Sequence, residues 1–211
     1  MGNTWSKEVF ETASKKSPKI IANFKYLWLL IIIYSVFGTY SIVSGNSLQS
    51  FFWSKGVLFG RMALVLLGFV VLPGILGRFG IEIKLTRIIT LFRRQLGITV
   101  FLLAFTHYHF VRGLPRYLGI IPFKPPFPLF ETLGMAALFI LFLMFLTSNN
   151  FSVKKLGKWW KRLHRFVYVV IWLLVLHTGL QRMSVWTFFI GTFAILEVTS
   201  FVWEHFKKKA I

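Results

Sequence analysis

The sequence predicts an all-α integral membrane protein, a bundle of six transmembrane helices with both termini in the cytoplasm. Three observations carry that prediction. Of 211 residues, 56% are hydrophobic and only 15% charged, and the mean hydropathy of +0.68 lies well above that of a soluble domain. Six segments approach the roughly 20 apolar residues that a bilayer-spanning helix needs: Phe24 to Ser44, Val57 to Gly77, Gln95 to Val111, Leu129 to Thr147, Leu163 to Gln181 and Val185 to His205. The 25 Lys and Arg residues crowd into alternate loops, the asymmetry that sets orientation in membranes.

Taken in order, residues 1–23 form a basic N-terminal segment in which Glu8 to Lys19 reads as an amphipathic surface helix. The first span is followed by Ser44-Gly-Asn-Ser with no small-x-small cleavage pattern, so it is expected to be a retained anchor. The third span carries His107 and His109 near its outer end. Between spans three and four, Arg112 to Pro128 holds prolines at a density that precludes a regular helix and keeps the backbone stiff. That loop is either an outer docking surface or a rigid connector. The fifth span carries His164 and His177, and the sixth carries Glu197 at mid-depth, followed by the basic tail 207–211. Residues 24–206 thus read as one six-helix domain.

Assuming six spans, one side collects Lys7, Lys15, Lys16, Lys19 and Lys25, then Arg78, Lys84, Arg87, Arg93 and Arg94. It also takes Lys154, Lys155, Lys158, Lys161, Arg162 and Arg165, and finally Lys207 to Lys209. That is 19 of the 25. The other side has Lys55, Arg61, Arg112, Arg116, Lys124 and Arg182. The rich side is expected to be cytoplasmic. The formal charge of +19, with six Glu and no Asp, does not indicate nucleic-acid binding, because the cations interrupt apolar runs rather than cover a soluble face. With no cysteine, disulfides, iron–sulfur clusters, thiolate metal sites, cysteine catalysis and c-type haem attachment are excluded. Metal chemistry is left to histidine and carboxylates.

Ionisable groups inside spans are costly and mark function, and a neutral imidazole is a ready ligand for haem iron. Spans three and five run in the same direction, so His107 and His177, both near outer ends, can face each other. They read either as the two ligands of a b-type haem or as partners in interhelical hydrogen bonds. His164 lies 13 residues before His177, about 20 Å deeper on a straight helix, where span three offers Arg93 and Arg94 instead of a histidine. A spacing of 14 residues returns to nearly the same face, off by ~40°, whereas 13 leaves ~140°, so the inner position requires bending, tilt or differently placed ligands. His109, about 200° around from His107, belongs to interface or loop contacts, and His205 to a solvated terminus.

The run Arg93-Arg-Gln-Leu-Gly-Ile-Thr-Val-Phe-Leu-Leu-Ala-Phe-Thr-His107 resembles the Arg-Arg-x-Leu-Gly…His helix of the ferric-reductase-like transmembrane family. A second block, Thr147-Ser-Asn-Asn, then Leu156-Gly-Lys-Trp-Trp-Lys-Arg-Leu-His-Arg-Phe-Val-Tyr168 and Leu176-His177, is similar to that family's Thr-Ser…Leu-Gly-x-x-Trp-x-x-Leu-His-x-x-Val-Tyr…His signature. Within the family the likeness is to the haem-bearing membrane subunits of methionine-sulfoxide reductase systems. The resemblance covers roughly residues 57 to 181. It implies a six-helix domain in a bacterial cytoplasmic (inner) membrane that passes electrons across it, with His107, His164 and His177 as axial ligands of one or two haem b groups. It implies an extracytoplasmic redox partner as electron acceptor, in those systems a methionine-sulfoxide reductase. The sequence has no G-x-G-x-x-G and no room for the flavin and nicotinamide domain of larger relatives, so electrons are expected from a cytoplasmic flavin reductase or a quinol.

Electron transfer across roughly 30 Å of hydrocarbon needs intermediate centres, here an outer one at His107 and His177 and an inner one at His164 with Arg93, Arg94 or another group. The inner centre is alternatively FMN or a quinone, with Trp160 stacking on the ring; Trp159 and Trp160 are otherwise interfacial anchors. Arg61, Arg112 and Arg182 fall near the outer leaflet as propionate partners or as snorkelling interface residues. Glu197 has a proton or quinone role, or is a carboxyl hydrogen-bonded between helices. Two other readings are a stand-alone ferric-ion or oxygen reductase and, from another class, a transporter or scaffold with structural histidines.

Overall fold

The computed structural model describes residues 4–45 and 49–209, with side chains from Ser17 to Gly45 and from Ser50 onward. Every regular element among them is helical: α1 (Thr4–Val43), α2 (Gln49–Phe79), α3 (Lys84–Tyr108), a π-helical turn (His109–Gly113), α4 (Leu114–Tyr117), α5 (Leu129–Leu146), α6 (Asn150–Leu156), α7 (Lys158–Arg165), α8 (Val167–Gln181) and α9 (Val185–Lys209). Six stretches are long and apolar enough to cross a membrane, namely Ser17–Val43, Ser50–Phe79, Lys84–Tyr117, Leu129–Leu146, Lys158–Gln181 and Val185–Lys209. The chain is a multi-pass, all-α membrane bundle of six spans. The proposed surface helix at Glu8 to Lys19 is continuous with the first span inside α1, and the side chains of its first part lie outside the described residues.

Several boundaries differ from those read off hydropathy, and each difference has a physical reason. The third span begins at Lys84 rather than Gln95. Lys and Arg are good helix formers, and their long stems lie along apolar surface while the charged heads reach the boundary. At its other end the helix persists through Arg112 to Tyr117, part of the segment expected to be irregular. Pro115 directly follows the π-helical turn His109–Gly113, a register change within which the backbone accommodates its missing N–H. Irregular backbone starts only at Leu118. The fifth span is not one straight helix but two, α7 and α8, interrupted at Phe166.

Five spans close a ring: α3 packs on α2, α2 on α9, α9 on α8, α8 on α5, and α5 returns to α3. The first span, α1, lies outside the ring against α3. Leu67, Val71, Ile75, Val100, Val170 and Ile171 fill the interior, and in lipid such packing is itself the main force joining helices. The two histidine-bearing elements α3 and α8 face one another across this ring but barely touch. Each is instead pressed against its own neighbour, α3 on α2 and α8 on α5.

Candidate cofactor site

His107 and His177 are held in the same way. The Nδ1 of His107 lies 3.0 Å from the carbonyl oxygen of Gly56 on α2, and the Nδ1 of His177 lies 2.6 Å from that of Phe130 on α5. A carbonyl only accepts, so each Nδ1 carries the proton and donates it. Among the described residues the Nε2 atoms have no hydrogen-bond partner and keep their lone pairs, the state in which imidazole binds a metal.

This arrangement suits haem and does not suit a bare metal ion. Among the described residues no group of three or more His, Asp or Glu side chains stands together, whereas haem brings four equatorial nitrogens and asks the protein only for axial ligands. α3 and α8 barely pack on each other, so their separation is set by the neighbours each one packs on.

The proposed outer arginines separate in the structure. Arg61 is exposed and lies over the Trp186 ring at 5.4 Å. Arg182 is exposed at the end of α8. Arg112 stands 3.7 Å from the carboxylate of Glu131 and over the Phe130 ring at 5.6 Å. Glu131 also pairs with Arg116, and both side chains of that pair are only 6% exposed. Arg116 in turn covers Phe127 at 4.7 Å, which pins the proline-rich loop to the start of α5. Sequence reasoning missed Glu131. Its signal was being the one acid among six outer cations.

His164 belongs to a second site at the opposite end of the bundle. It stacks on Trp160 with ring centroids 4.1 Å apart, and its Nε2 lies 3.2 Å from the Thr147 hydroxyl. The indole N–H of Trp160 donates to the Thr147 carbonyl at 2.9 Å, so one residue at the end of α5 organises both rings. These groups border a cavity of about 630 Å³ that Arg93, Arg94, Lys161 and Arg165 also line, without any carboxylate. Arg94 additionally donates to Asn150 at 2.6 Å. The Gln95 Oε1 is buried there with no partner, and a Cβ on Gly97, which lines the same cavity, would meet nothing. The cationic walls suit the anionic part of a ligand, a haem propionate or a flavin phosphate alike, and the orphaned acceptor calls for a donor on the ligand or from water. Among the described residues no second histidine lines this cavity.

Tyr168, one turn past His164, lines this cavity too. Its hydroxyl accepts from Arg78 at 3.0 Å, and Arg78 donates through Nε to Ser200 at 2.7 Å while lying over Phe201 at 3.9 Å. Glu197, 4% exposed, sits beside this group with Oε2 unpartnered. His109 shares Thr39 with α1 at 2.7 Å and borders a lipid-facing groove of about 1080 Å³ between α1, α3 and α5. His205 is exposed beside Phe206.

Residues 59–175 match the family described as ferric reductase like transmembrane component. The chain is 38% identical to the "Protein-methionine-sulfoxide reductase heme-binding subunit MsrQ" of Agrobacterium fabrum, over 50% of this chain and 51% of that protein. It is 40% identical to the protein of the same description in Brucella anthropi, over 38% of this chain and 37% of that protein, and 37% identical to that of Brucella ovis over the same shares. The chain thus spans about half the length, or less, of these relatives. No solved structure matches it. The family match covers more than half of the sequence, including all of α3 and α5, every residue that lines the cavity at His164 and the break at Phe166, and the chain belongs to the ferric reductase-like transmembrane family.

Proposed function

We propose that the chain is a haem b membrane subunit that passes electrons across a bacterial inner membrane. The observation that carries this reading is the pair His107 and His177, each fixed through Nδ1, each with Nε2 free, on helices that face without packing. Haem, when bound, supplies one-electron chemistry between the two leaflets. The chain's own residues do the rest. Gly56 and Phe130 set the imidazole tautomers, the apolar ring of helices excludes water, and the cations around His164 hold the anionic edge of an inner haem or FMN. Residues 24–206 act as one domain, with the basic segments 1–23 and 207–211 and both termini in the cytoplasm.

The donor is a cytoplasmic flavin reductase or a quinol, acting at the inner end where the cavity at His164 lies. The acceptor is an extracytoplasmic partner, and the methionine-sulfoxide reductase named in the relatives' descriptions is its candidate. Purified protein in detergent, compared with His107→Ala, His164→Ala and His177→Ala by oxidised and reduced spectra and haem-to-protein ratio, tests the reading. Loss of one haem in both His107→Ala and His177→Ala is the expected result. A further loss in His164→Ala identifies the inner centre as haem, and its retention there points to a flavin or quinone. A folded wild-type preparation that binds no haem overturns the proposal.

A further inference from the structure

We infer that Gly60 and Gly134 are positioning residues for His107 and His177, each baring a helix carbonyl on which the imidazole docks. In an α-helix every Cα–Cβ bond tilts toward the N-terminus, so the side chain of residue n+4 lies over the carbonyl of residue n. Gly60 stands four residues after Gly56, and Gly134 four after Phe130. A Cβ at Gly60 would lie 2.7 Å from the His107 Nδ1 and 2.9 Å from its Cγ, and a Cβ at Gly134 would lie 2.7 Å from the His177 Nδ1 and 2.8 Å from its Cε1. Real side chains do not approach so closely. An alanine at either position forces the ring off its carbonyl.

The same construction appears twice, on two different helix pairs, α2 with α3 and α5 with α8. Glycine inside a helix costs roughly 0.5–1 kcal/mol relative to alanine, so two such placements opposite two histidines call for a local reason. The close approach supplies it. Gly191, by contrast, would meet nothing within 4 Å if a Cβ were added. The consequence reaches the free nitrogen: docking fixes both tautomer and ring plane, and so fixes where each Nε2 points.

The inference rests on the haem reading, and the test separates the two. Gly60→Ala, Gly134→Ala and the control Gly191→Ala are purified in detergent and compared by haem content, the spin state of the oxidised protein and midpoint potential. The control is expected to match wild type. Each of the other two is expected to lose the six-coordinate low-spin signature of its histidine pair or to shift its potential, with partial recovery in added imidazole. Wild-type spectra and potential in both variants overturn the inference.

A variant that does not fold is answered by a second measurement. Because the clash is with the imidazole, Gly60→Ala is harmless to thermal stability in a His107→Ala background, and Gly134→Ala in a His177→Ala background. Equal destabilisation with and without the histidine also overturns the inference. This cycle needs no haem, so it stands even where wild type proves to bind none.

Discussion

At the scale of single residues, chemistry was legible where a side chain is rare and misplaced by ordinary rules. Histidines inside apolar spans cost free energy and therefore stand out, so His107, His164 and His177 could be picked from the sequence. What holds them could not. The partners of His107 and His177 are main-chain carbonyls, which every residue possesses, and no residue type marks them except the glycines that uncover them. Glu131 was hidden for another reason, since pairing with Arg116 depends on a turn between α4 and α5 that the proline-rich loop obscures. Its removal should be costly. Both members of the pair are buried, and breaking a buried ion pair leaves one charge uncompensated at roughly 3–5 kcal/mol. Glu131→Gln is therefore expected to lower the thermal midpoint of the purified protein markedly, and the double variant with Arg116→Met to recover part of the loss. A midpoint equal to wild type means that the pair is solvated and does not hold the loop.

At the scale of elements, six spans were legible because hydrophobic length is a composition property, while their breaks were not. Phe166 interrupts the fifth span within a run whose side chains read as helical throughout. The turn that leads into α7 has a clearer physical origin. Gly157 joins α6 to α7 at φ 49 and ψ −113, a combination that a residue with a Cβ occupies only at a cost of about 1–3 kcal/mol. It aims α7 so that Trp160 reaches Thr147 and His164 reaches the cationic cavity. Gly157→Ala is expected to disturb the inner site and spare the outer one: the signals lost with His164→Ala weaken, while those lost with His107→Ala persist. Trp160→Ala should act in the same direction, because it removes both the stack on His164 and the bond to Thr147. An outer-site change in either variant would show the two ends to be mechanically joined.

At the scale of the whole molecule, the structure separates the charges into two groups without saying which faces the cytoplasm. Arg94 meets Asn150 and Lys207 approaches Gly80, which gathers the basic segments of residues 80–94, 147–165 and 207–209 at one end. Arg61 over Trp186 and Arg112 beside Glu131 mark the other. These are the two loop sets that the alternation of charge distinguishes, and the positive-inside rule is the ground on which the proposal puts the more basic end in the cytoplasm. The absence of cysteine makes this directly measurable, because a single introduced thiol is the only one in the chain. Lys124→Cys in the loop before α5 is expected to react with a membrane-impermeant maleimide in intact spheroplasts. Lys155→Cys and Lys208→Cys are expected to react only after permeabilisation. The opposite pattern reverses the direction of electron flow proposed here, since the His107 and His177 pair would then face the cytoplasm and the cationic cavity at His164 the outside.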